Sequence, residues 1–119
     1  MDYQMGTVES RFADIIWQNE PIASGELVAK AQSLLGWKKS TTYTVLKRLC
    51  EKGIFDNKNG VVCSIIKREE LYALRSESFV NEEFGGSLPA FLAAFTARKA
   101  LTEEEVAQLR RLVDEYTEE

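Results

Sequence analysis

The fifteen residues from Lys38 to Lys52 hold five cations, Lys38, Lys39, Lys47, Arg48 and Lys52, against a single acid, Glu51. Between the cations stand Ser40, Thr41, Thr42, Tyr43 and Thr44. Lysine and arginine meet phosphates, and short hydroxyls donate to or accept from the edges of bases. With residues 40–52 helical, Thr42, Val45, Leu46 and Leu49 fall at i, i+3, i+4 and i+7 and share one inner face. The opposite face then carries Ser40, Thr41, Tyr43, Thr44 and Lys47, with Arg48 and Lys52 toward the C-terminal flank. Such a helix suits the major groove of double-stranded DNA. Ser40, Thr41 and Thr44 are the base-contact candidates, because short side chains there let the backbone approach the bases. Lys38, Lys39, Tyr43, Lys47, Arg48 and Lys52 are the candidates for the phosphate backbone. Tyr43 has two readings, a sugar-phosphate contact or cover for a neighbouring element. Trp37, in the preceding turn, reads as a core or hinge residue. The bland alternative for the whole stretch is an amphipathic helix with a solvated polar face.

Charge is distributed unevenly around this segment. The chain of 119 residues carries a formal charge of -4. Residues 1–68 hold ten basic and seven acidic side chains, whereas residues 69–119 hold five and twelve. A locally basic first part with an acidic second part fits a DNA-reading domain joined to a protein-contacting one. Catalysis has little to work with. There is no histidine, no glycine-rich phosphate loop, and neither Cys50 nor Cys63 has an imidazole partner to activate it. No catalytic residue and no cofactor is expected. The two cysteines form no CxxC or CxC pair, so no metal site is expected either. Both thiols are expected to be buried and used as small hydrophobes. No apolar run approaches the ~20 residues of a membrane span. The segment MDYQMGTVES lacks the basic-then-apolar order of a leader. No membrane insertion and a cytoplasmic location are therefore expected.

The elements that must position the basic helix can be read on both sides of it. Thr7 is placed to cap a first helix reaching about Asn19, with Val8, Phe12, Ile15 and Ile16 on one face. Glu20-Pro21 breaks it, and Ile22-Ala23 reads as a short extended piece. Ser24 is placed to cap a second helix bearing Leu27, Val28, Ala31, Leu34 and Leu35, which ends at Gly36. After the third helix, Asn59-Gly60 stands between the runs 54–58 and 61–66, the strongest short signal for a hairpin. Helix, helix, helix, hairpin is the order of a winged helix-turn-helix. Lys58, near the hairpin tip, is a further backbone-contact candidate, while Asp56 has the wrong sign for one.

The expected fold is thus mainly α with a small β-hairpin, in two domains: residues 1–68, a winged helix-turn-helix that binds DNA, and residues 69–119, a helical dimerisation domain. The second domain reads as helices from Arg68 to about Phe84, from Leu88 to about Ala97, and from the capping box Thr102–Glu105 onward. Leu88, Phe91, Leu92 and Phe95 make its middle helix apolar. Val106, Leu109, Val113 and Tyr116 follow a 3-4-3 spacing, with Leu112 beside them, which is a packing seam. So short a segment cannot bury all these faces, and pairing with a second copy is the economical solution. The alternative is that they fold back on the N-terminal domain. These nine residues are the expected homodimer interface.

Trp37, Thr41, Thr44, Leu46, Arg48, Leu49, Lys52 and Gly53 fit the pattern W-x(3)-T-x(2)-T-x-L-x-R-L-x(2)-K-G. The pattern resembles the penicillinase-repressor family, the BlaI/MecI/CopY group. Residues 15–21, 84–88 and 101–105, with Leu109-Arg110, extend the likeness over nearly the whole chain. The resemblance implies a homodimeric transcriptional repressor with an N-terminal winged helix, a C-terminal dimerisation domain and a palindromic operator. By position it places Ser40, Thr41 and Thr44 at the bases and Arg48 and Lys52 near the backbone. The chain also departs from the pattern. Lys38-Lys39 replaces a common Ser-Pro, and Val61 or Val62 replaces a frequent basic residue of the second strand. Ala94-Phe95 stands where antibiotic-responsive members are cut at Asn-Phe, and the C-terminal cysteines of copper-responsive members are missing. The inducing signal is therefore inherited from neither branch, and no sensor or protease partner is identifiable. The competing reading is a winged-helix module that binds protein and not DNA.

Overall fold

The computed structural model describes residues 3–117. Along the chain run α1 (Thr7–Asn19), β1 (Ile22–Ala23), α2 (Ser24–Leu35), α3 (Lys39–Glu51), β2 (Phe55–Lys58), β3 (Val61–Ser64), α4 (Arg68–Phe84), α5 (Leu88–Arg98) and α6 (Glu103–Tyr116). Helices and a small antiparallel sheet thus appear in the expected order. The chain forms two compact units, one reaching to Ser78 and the other starting at Phe79, so the division falls inside α4.

The first unit is a winged helix. Its sheet has the order β1-β3-β2. Ile22 and Ala23 pair with Val62 and Val61, and Phe55 to Lys58 pair with Ser64 to Val61. Two-residue β1 therefore makes the hairpin three-stranded. Asn59 and Gly60 both take positive φ, 54° and 81°, as a two-residue hairpin turn requires. Phe12, Ile16, Ile22, Leu27, Leu49, Ile54, Phe55, Val62 and Leu71 are fully buried and come from every element of the unit. Each such side chain contributes roughly 1.5–3 kcal/mol of burial. Trp17 packs on Phe55 with centroids 5.3 Å apart, and its indole N–H donates to the Ile66 carbonyl at 3.1 Å.

Three local expectations need correction. Thr7 does not cap α1; Gly6 does, and the Glu9 carboxylate reaches back to accept from the Gly6 amide at 3.4 Å. Ala23, not Ser24, is the N-cap of α2, so Ser24 is already helical and its hydroxyl serves elsewhere. Only Cys50 is even half-buried, whereas Cys63 is exposed, because alternation along β3 turns Val62 inward and Cys63 outward. Both thiols are free. Burial, and then the charge of Asp56, raises the Cys50 pKa, outweighing the hydrogen bond from the Asn57 amide. A raised pKa disfavours the thiolate, the reactive form.

Glu20 closes the end of α1 onto the sheet. Its carboxylate accepts from the Ser64 amide at 2.9 Å, from the Ser64 hydroxyl at 2.8 Å and from Lys67 Nζ at 3.3 Å. Burial alone would raise its pKa, but the hydrogen bonds from Ser64 and Lys67 outweigh it and hold the group below its ordinary value.

In the second unit Ser87 caps α5, accepting from the Ala90 amide at 3.1 Å, and Thr102 and Glu105 form the expected capping box of α6. Phe79, Phe84, Phe91 and Phe95 form a chain of ring contacts with centroids 5.5–6.4 Å apart. Yet no described residue from Phe79 onward is buried.

Candidate nucleic-acid interface

Helix α3 divides sharply between its two faces. Thr42, Val45, Leu46 and Leu49 are buried, as the periodicity predicts. The one polar member is satisfied, since the Thr42 hydroxyl donates to the Lys38 carbonyl at 3.1 Å. Ser40, Thr41, Thr44 and Lys47 are exposed together on the outer face. The Thr44 hydroxyl donates back to the Ser40 carbonyl at 2.9 Å, which leaves its oxygen lone pairs and methyl group facing outward.

The start of α3 is electrostatically unusual. Its N-cap is Lys38, no side chain caps it, and its first turn contains no acid. Its first amides thus lack partners within the helix, and the positive end of the helix dipole is joined by Lys38 and Lys39. Like charges accumulate where a helix normally attracts anions. Trp37, immediately before, stacks on Phe12 at 5.0 Å and is half-buried, in keeping with a core role. Gly36 precedes it with φ 71°, a left-handed cap that turns the chain sharply from α2 into α3.

The predicted backbone-contact residues separate into two sets. Lys38, Lys39 and Lys47 are exposed, and no described acid pairs with them. The others are engaged. Arg48 lies 3.9 Å from Glu9, Lys52 Nζ donates to the Gln4 carbonyl at 2.6 Å, and Lys58 lies 3.7 Å from Asp56. The N-terminal segment thus lies against the C-terminal end of α3. Glu9 Oε2 is buried and accepts no hydrogen bond among the described residues. Tyr43 is half-buried, and its phenol donates to Ser24 Oγ at 3.1 Å. Ser24 in turn donates its amide to the Gly60 carbonyl in the wing turn at 2.8 Å.

Glu9, Gln4 and Ser24 were not visible as neighbours of α3 from sequence. Ser24 and Glu9 each carry a local capping signal, and nothing in a capping rule points to a partner nineteen or thirty-nine residues away.

The expected interface residues of the second unit form apolar surfaces. Leu88, Phe95, Leu112, Val113 and Tyr116 are exposed, and Phe91, Leu92, Val106 and Leu109 are half-covered. A groove of about 260 Å³ is lined by Phe91, Leu92, Phe95, Leu101, Leu109 and Leu112, among others. A second of about 340 Å³ involves Leu101, Val106, Leu109 and Val113 with Arg110 and Asp114.

Comparison with known proteins finds one family along most of the chain. The family model for the penicillinase repressor matches residues 5–115. The chain is 23% identical over 116 residues to the methicillin resistance regulatory protein MecI of Staphylococcus aureus, covering 94% of each chain. It is 26% identical over 117 residues to the penicillinase repressor of Bacillus licheniformis, covering 95% of this chain and 91% of that one.

Proposed function

The chain belongs to the penicillinase repressor family, and from that premise we propose that it is a cytoplasmic transcriptional repressor binding a palindromic operator as a homodimer. Residues 1–68 read DNA and residues 69–119 pair two copies. In this reading α3 enters the major groove, Ser40, Thr41 and Thr44 meet base edges, and Lys38, Lys39 and Lys47 meet phosphates. Arg48, Lys52 and Lys58 join them once they leave their present partners.

The observation that carries the reading is the start of α3. Two lysines at an uncapped helix N-terminus with no first-turn acid cost stability in the free protein. A phosphate at that point would reverse the sign of the effect. Exposed hydroxyls on the same face supply the means to read bases. The homodimer is supported by a second unit whose described residues include no buried one and whose apolar side chains line open grooves.

The test is selection of bound fragments from a genomic pool at moderate salt, followed by footprinting. A two-fold symmetric site protected by a dimer is the expected result. Absence of any enriched fragment would sink the proposal. Salt-insensitive retention of a protein partner without DNA would replace it with the interaction module.

A further inference from the structure

We propose that Tyr43 and Ser24 are a positioning pair that fixes the wing relative to α3, so that Tyr43 acts on DNA binding through Ser24 and not by touching DNA. The inference rests on the DNA-binding reading above and adds a role for two residues within it.

Two hydrogen bonds join the outer face of α3 to the wing turn. The Tyr43 phenol donates to Ser24 Oγ at 3.1 Å, and the Ser24 amide donates to the Gly60 carbonyl at 2.8 Å. The second bond continues the β1–β3 ladder, in which Ala23 pairs with Val61. Ser24 is therefore held to the wing turn by its backbone and to α3 by its side chain. The Ser24 hydroxyl lies beside the wing turn, since a Cβ added to Gly60 would make ordinary contact with Ser24 Oγ at 3.7 Å. The Tyr43 ring packs against the core, which limits the positions its hydroxyl can reach. A phenol committed to Ser24 between α2 and the wing is poorly placed to serve a phosphate. It is well placed to set the wing angle, and a wing reaches DNA only if that angle matches the groove into which α3 docks.

The experiment uses the full-length protein with Tyr43→Phe, Ser24→Ala, both together, and Ser24→Thr, which keeps the hydroxyl. Tyr43→Phe retains the ring, so the core is preserved. Without DNA, amide exchange of Ser24 and of the wing strands is expected to speed up in Tyr43→Phe and Ser24→Ala, and not in Ser24→Thr. On the selected operator each of the first two variants is expected to bind roughly three- to tenfold more weakly. Together they should lose no more than either alone, the mark of one shared interaction. Footprints should fade at the outer, wing-side positions and persist where α3 lies, with the salt dependence unchanged.

Unchanged exchange in Tyr43→Phe overturns the proposal. So does an additive loss in the double variant, which would place the phenol on DNA. If the wild-type protein selects no DNA while exchange responds as expected, the DNA-binding reading fails and the mechanical link stands.

Discussion

The hydroxyl of Thr44 already has a partner. It donates to the Ser40 carbonyl, so what it offers outward is a methyl group and acceptor lone pairs. A methyl facing the major groove matches the C5 methyl of thymine. Thr44→Ala is expected to weaken operator binding by about 1–3 kcal/mol, and Thr44→Val, which keeps a methyl, by much less. Replacing the facing thymine with uracil should cost the wild-type protein a similar amount and the alanine variant nothing. Equal losses for Ala and Val in a gel-shift titration would make the hydroxyl the reader. Glu9 poses the opposite question, whether removing a group strengthens binding. Its carboxylate is 22% exposed and lies beside Arg48, in competition with any phosphate for that guanidinium. At 3.9 Å the pair is too long for a hydrogen bond, and glutamine keeps the oxygen that accepts from the Gly6 amide, so Glu9→Gln preserves the α1 cap. Glu9→Gln is expected to raise affinity for all DNA sequences severalfold and to steepen the salt dependence by up to about one phosphate contact. Titrations between 50 and 200 mM salt, roughly the range over which such slopes are resolved, would detect it; unchanged affinity and slope would mean Arg48 never reaches DNA.

Elements depend on contacts that a local pattern does not contain. The junction of α1 and β3 rests on Glu20, whose folded pKa lies below its ordinary value of 4.5 because Ser64 and Lys67 outweigh the effect of burial. A depressed carboxylate contributes stability that is fully present above the unfolded pKa and is lost as pH falls through the folded one. Glu20→Ala is therefore expected to destabilise the first unit by about 2 kcal/mol at neutral pH, the scale of hydrogen bonds to a charged group. The difference from wild type should shrink steadily as pH drops below the glutamate range. Urea unfolding followed by the fluorescence of Trp17 and Trp37, both in that unit, reads it directly; a gap independent of pH would refute the linkage. The same contrast explains what was legible in the sequence. The inner face of α3 was readable because a 3.6-residue period reports burial, and the Asn59-Gly60 turn because positive φ admits few residue types. Ser24 was misplaced because a serine before a helix carries the same local signal whether it caps that helix or bonds to another. Cys63 was misplaced because composition says nothing of which way a strand residue points. The pairing of Arg48 and Lys52 with residues 4–9 was hidden because ion pairs between distant segments leave no periodic trace.

Under the proposed function, one copy of α3 would offer a handful of base contacts, too few for operator-grade affinity, and pairing would supply the rest. The second unit has the surface for it. Leu112, Val113 and Tyr116 are 51%, 64% and 77% exposed, and the ring chain from Phe79 to Phe95 is at best half-covered. A charge placed at Leu112 or Val113 costs the single chain little, because more than half of each side chain is exposed. Across the proposed two-fold interface, however, the same charge would meet its own copy in an apolar contact. Leu112→Asp combined with Val113→Asp is therefore expected to leave the first unit folded and the protein monomeric. Linking two readers converts the second binding event into an intramolecular one, so losing the link should weaken binding to the full operator by roughly 10²-fold or more. Binding to an isolated half-site should change little. Sedimentation equilibrium gives the association state and gel shift gives both affinities. A double variant that remains dimeric would remove these residues from the interface, and a monomer that still binds the full operator at wild-type strength would show that pairing contributes nothing to recognition.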